Sequence, residues 1–165
     1  MGYISRAVNN IGTAVWFGGT LMGALAMNPA VEVLDDPEER GKMVDEGWAR
    51  FQPWGALGLM AALVSHVVIR RRPPRRPSNC YKNIARLKDL LMVAACVSSV
   101  ASLALGEYAT PQEFDSYAPE GDGETENAPF ETEAAPMGLT AASIAQLVSG
   151  IGLFITGAMM DSERD

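Results

Sequence analysis

Four long stretches of the chain carry no formal charge, at 7–31, 51–69, 90–106 and 137–160, and polar, charged segments separate them. A helix rising ~1.5 Å per residue needs about 20 mostly apolar residues to cross a ~30 Å hydrocarbon layer. Each run is that long or nearly so. A water-soluble protein would interleave charge with apolar residues every few positions, giving each helix a wet face, whereas a helix that is apolar all round must face lipid. The pattern therefore predicts an all-α fold, a bundle of four transmembrane helices with antiparallel neighbours. Once the apolar runs are set aside, the pieces at 32–50 and 107–136 are too short to fold around a core of their own, so residues 1–165 are expected to form one domain.

The net charge of −7 averages two populations of residues. Eight of the 13 basic residues lie between Arg70 and Lys88, in a stretch with no acid, and the connection at 107–136 holds nine acids and no base. Lysine and arginine in short loops stay on the cytoplasmic side. The segment 70–89 is thus expected to be a cytoplasmic basic loop, 107–136 an acidic outer loop, and both termini cytoplasmic. Pro73, Pro74 and Pro77 are expected to keep the basic loop extended. The first apolar run is longer than the apolar part of a secretory signal peptide, although Ala24-Leu25-Ala26 resembles a cleavage site. A retained span is the expectation.

In the first outer segment, Asp36-Pro37-Glu38-Glu39 has the spacing of a helix start, with a capping residue, a proline at the first helical position and a glutamate three residues after the cap. A short amphipathic helix from Pro37 to about Arg50 is expected to lie at the membrane surface. Val44, Trp48 and Phe51 would form its apolar stripe, and Trp48 and Trp54 would act as interface anchors. The second outer segment is rich in proline and acid, too polar to offset its own ordering entropy. Its Glu120–Glu126 cluster lacks the register of a helix-flanked calcium loop. A disulfide between Cys80 and Cys96 is not expected, since the two fall at different depths.

Each span carries small residues at spacings of three or four. They are Gly12, Gly19 and Gly23 in the first; Gly55, Gly58, Ala62 and Ser65 in the second; Ala95, Ser99, Ser102 and Gly106 in the third; and Ala141, Ala145, Ser149 and Gly152 in the fourth. Lipid supplies little hydrophobic drive between helices, so close approach at small residues is expected to supply the packing. Asn9, Asn10, Thr13, Thr20, Asn28, His66 and Gln146 are the polar residues within the runs, and no acid or base falls at a run's centre. That disfavours a proton relay, ion-coupled carrier or voltage sensor. The candidate polar membrane site is Gln146, Thr13, Thr20 and His66, with Gln146 expected to bond to a serine or threonine of a neighbouring helix. His66 is the sole histidine and cannot supply a bis-histidine haem site alone, so no cofactor or metal is expected.

The segment Gly12-Thr-Ala-Val-Trp-Phe-Gly-Gly-Thr-Leu-Met-Gly-Ala24, the Asp-Pro-Glu-Glu-Arg40 turn, Gly47-Trp-Ala-Arg-Phe-Gln-Pro53 and Ser65-His66 together resemble a family of uncharacterised four-helix membrane proteins from actinobacteria. The likeness covers roughly residues 1–70. It implies a four-helix fold in a bacterial inner membrane and brings no activity or catalytic residue. The expected function is that of a non-enzymatic accessory or scaffold subunit of a larger membrane complex. Its partners would be membrane lipid and other membrane subunits or a second copy, not nucleic acid. The alternatives are a transporter or channel for a small neutral or lipid-like solute, and, third, a membrane redox protein using His66.

Overall fold

The computed structural model describes residues 2–74, 76–116 and 131–163. These form α1 Gly2–Met22, a π-helical turn Gly23–Met27, α2 Asn28–Val31, α3 Pro37–Arg70, α4 Asn79–Ser116 and α5 Glu131–Ser162. Four helical segments, Tyr3–Val31, Glu39–Arg70, Asn79–Leu105 and Gly138–Ser162, are long and apolar enough to cross a membrane. In lipid every backbone N–H and C=O has to bond internally, which a helix does within one segment. The Glu120–Glu126 cluster and the middle of the acidic connection lie outside the described residues.

The π-turn has a local cause in Pro29. Proline has no N–H and its ring crowds the carbonyl one turn back, so the regular α-ladder cannot continue through it. The chain widens instead, and the Asn28 N–H donates to the Gly23 carbonyl five residues earlier. The first span ends at Val31, where the N–H of Leu34 donates to the Val31 carbonyl at 3.1 Å. Arg40 Nε donates to the Leu34 carbonyl at 2.6 Å, which ties this turn to the start of α3.

α3 differs from the expected arrangement of a surface helix followed by a span. Residues 37–70 form one uninterrupted helix that passes through Pro53. The stripe expected to rest on the membrane surface turns toward α1. Trp48 packs into the space left by Gly23, Phe51 into that left by Gly19, and the two rings meet edge to face at 6.1 Å. A glycine opposite each ring gives it a flat backbone surface to cover, and both rings stay partly exposed. Trp54, by contrast, is 66% exposed.

α4 begins earlier than the charge pattern implied, so the segment 70–89 is a loop only as far as Ser78. Ser78 caps the helix: its Oγ accepts from the Tyr81 N–H at 2.9 Å, and its carbonyl accepts from the Lys82 N–H at 3.2 Å. Cys80 and Cys96 are both free and both sit on α4, 16 residues apart. At ~1.5 Å per residue that separation is about 24 Å, beyond the reach of any disulfide.

α1 packs chiefly on α3 and α4 chiefly on α5, and the two pairs meet mainly where α1 crosses α5. One apolar cluster, Trp16, Ala62, Met92, Ala95 and Leu153, draws on all four long helices. A second, Ile69, Tyr81, Ile84, Ala85 and Met160, fills the end where α3 stops and α4 starts. The outward faces of the four spans are apolar, with residues such as Ile11, Leu57, Val93 and Ile151 more than half exposed.

Candidate functional site

The interior polar groups begin with Asn9, one turn after Arg6 on α1. It is 2% exposed, and it bridges two other helices. Its Nδ2 donates to the Ala62 carbonyl of α3 at 2.8 Å, and its Oδ1 accepts from Lys88 Nζ of α4 at 2.9 Å. A carbonyl oxygen has two lone pairs, so Ala62 serves Asn9 without giving up its own helix ladder. Lys88 is 4% exposed, a cation drawn into the bundle nine residues beyond Asn79.

Asp89, the next residue, faces α3. Its Oδ1 accepts from His66 Nε2 and its Oδ2 from Arg70 NH2, both at 2.7 Å. His66 and Arg70 stand one turn apart on α3, so a single carboxylate reaches both. Because Nε2 donates, it carries the proton, and Nδ1 is buried with no hydrogen-bond partner among the described residues. Arg6 NH1 donates to Asp161 Oδ1 at 3.1 Å, which joins the start of α1 to the end of α5. The same guanidinium lies over the Tyr3 ring, 4.8 Å from its centroid.

Deeper in the bundle the polar groups are neutral. Trp16 Nε1 donates to Ser99 Oγ at 3.0 Å, from α1 to α4. Gln146 Nε2 donates to Ser102 Oγ at 2.8 Å and to the Ser98 carbonyl at 3.2 Å, from α5 to α4. Thr13 and Thr20 are buried, and each donates to a carbonyl one turn back on its own helix, Asn9 at 2.8 Å and Trp16 at 3.0 Å. Gln146, Thr13, Thr20 and His66 therefore do not converge. Their hydrogen bonds go to separate partners along the bundle.

The small residues fall as follows. Gly12 and Gly58 meet backbone to backbone, and a Cβ on Gly12 would lie 2.5 Å from the Gly58 oxygen. Gly19 and Gly23 receive aromatic rings, and Gly152 receives the Leu91 side chain, with Cδ1 at 2.7 Å. Ala62, Ala95 and Ser149 are almost fully buried, while Ser99 and Ala145 are half-buried.

The expectation that no acid or base falls at a run's centre says nothing of Lys88 and Asp89, which lie before the third run but within the apolar helical segment Asn79–Leu105. Counting uncharged runs began the third span at Leu90 and so left out the residues that carry the charge. A periodic signal was present: Tyr81, Ala85, Lys88, Met92 and Ala95 recur at helical spacing and line one buried stripe. Among the described residues no group of three or more His, Cys, Asp or Glu side chains is placed to hold a metal ion.

By the length and composition of its helices the chain fits the class of all-α, multi-pass membrane proteins. Compared with protein-family models, curated proteins and solved structures, it finds no match in any of the three.

Proposed function

We propose that the chain is a non-enzymatic integral membrane protein of a bacterial cell membrane, serving as an accessory or scaffold subunit of a larger membrane assembly. One observation carries this reading: several polar side chains of the bundle join one helix to another, while Thr13, Thr20 and Ser149 bond within their own helix. Asn9, Trp16, Asp89 and Gln146 each bond to a different helix from their own. Interhelical bonds of this kind hold a bundle together, and the apolar outer faces are left for lipid or other subunits. In this reading the neighbours in the bundle are antiparallel. The residue pairs support that, because Gly12, Gly19 and Gly23 of α1 meet Ala62, Phe51 and Trp48 of α3 in descending order. The Arg70–Lys88 side and both termini lie in the cytoplasm, as the distribution of basic residues favours.

The test is extraction of the native membrane in mild detergent, followed by mass spectrometry of what remains bound. Stoichiometric membrane-protein partners are the expected result. A particle containing this chain alone would contradict the accessory role.

A further inference from the structure

A small cleft lies beside Lys88, and its wall includes two of the residues that join helices, Lys88 and Arg6. It lies where α1 passes α5, and Arg6, Asn10, Lys88, Gly157 and Asp161 contribute to its wall. Its volume, about 10 Å³, admits one oxygen-sized group. Gly157 keeps it open. A Cβ at that position would stand 3.3 Å from Lys88 Nζ and 4.0 Å from Asn10 Oδ1, so a larger residue would fill the space in front of the ammonium.

Asn9, Ile69 and Met160 complete the wall, and the charged groups in it favour an anion. Lys88 and Arg6 bring two positive charges and Asp161 one negative, with Arg6 already holding Asp161 at 3.1 Å. Asn10 is exposed on α1 and lines the cleft, and a turn of its amide would bring Nδ2 rather than Oδ1 to an anion. Arg71, Arg72, Arg76, Lys82 and Arg86 are exposed around the end of α3 and the start of α4, and they add to the positive potential at this end of the bundle. Basic pockets between transmembrane helices near a membrane surface suit phosphate headgroups. Ile4 and Ile11, 70% and 64% exposed on the same helix, provide apolar surface for acyl chains.

We propose that this cleft binds a phosphoryl group, with one oxygen entering between α1 and α5 to contact Lys88 and Asn10 and a second oxygen reaching Arg6. The shared chemistry is that of an anionic phosphate, carried by a lipid headgroup or free in solution. The site requires that the chain span a membrane and is independent of the accessory role.

The test uses the full chain purified in detergent, with native mass spectrometry against phosphatidylglycerol and against diacylglycerol with the same acyl chains. Selective retention of one phosphatidylglycerol per chain is expected, and equal retention of the two lipids would overturn the site. Inorganic phosphate is the second probe. If it raises the melting temperature of the lipid-free protein and displaces phosphatidylglycerol, free phosphate is the ligand. If it does neither while phosphatidylglycerol is retained, the source is the lipid. Gly157→Leu fills the cleft against the Lys88 ammonium without removing a charge, and loss of a charge-assisted hydrogen bond there should weaken retention about tenfold. A folded Gly157→Leu variant with undiminished retention overturns the site. Should that variant fail to fold, Lys88→Met takes its place, and undiminished phosphatidylglycerol retention by folded Lys88→Met overturns the site.

Discussion

A Cβ on Gly12 would meet the Gly58 oxygen at 2.5 Å and the Ala62 nitrogen at 2.7 Å, and neither backbone atom can swing aside as a side chain would. Gly12→Leu should therefore force α1 off α3, at a cost of about 3 kcal/mol in the manner of an overpacked core. Gly18 has nothing within 4 Å of the same construction, so Gly18→Leu should leave stability within about 0.5 kcal/mol. Reversible unfolding in mixed detergent micelles measures both, and equal costs would refute the backbone contact. Of the two, Gly12 was legible from its spacing with Gly19 and Gly23. Lys88 was not legible as an interior residue, nor half-exposed Asp89 as a partner of α3, because the groups they bond to are distant in sequence. Asn9 is 79 positions from Lys88, and His66 is 23 from Asp89. A charge inside a membrane bundle is tolerated only against such partners, and no local pattern names them.

Between elements, the polar bonds link the two helix pairs where apolar contact is sparse. Asn9 holds α1 to both α3 and α4, so Asn9→Leu strips the Lys88 ammonium of this acceptor. A double-mutant cycle of Asn9→Leu with Lys88→Met should show a coupling of about 1–2 kcal/mol, since the methionine leaves no buried ammonium to miss the amide. Additive losses would mean that the contact does little. Gln146→Leu removes both α5-to-α4 bonds and should cost about 1 kcal/mol, the usual range for hydrogen bonds within membrane bundles. A cost near zero would place the α4–α5 contact in packing alone.

The element boundaries show where reading the sequence stops short. Charge-free runs locate the spans because lipid excludes unpaired charge, but helices do not end where charge begins. α3 extends back to Pro37 through a charged segment and past Pro53, since its Trp48 and Phe51 gain contacts on α1 that a separate surface helix would forgo. α4 starts at Asn79 because Ser78 supplies a cap and Pro77 precedes it, a start signal that lay inside the stretch assigned to the basic loop.

At the scale of the whole molecule, everything above depends on the chain crossing a membrane four times with its arginine-rich side in the cytoplasm. Cys80 is exposed at the start of α4 on that side, and Cys96 lies further along the same helix within the span, where an impermeant reagent does not reach. The most direct measurement is labelling by a membrane-impermeant maleimide, applied to intact cells and to opened membranes. Two chains serve: the unsubstituted chain, and one carrying Gly121→Cys in the acidic connection with Cys80→Ser. The account predicts that Cys80 labels only after the membrane is opened and that the cysteine at position 121 labels in intact cells. Labelling of Cys80 in intact cells, or recovery of the chain in the soluble fraction after an alkaline wash, would contradict it.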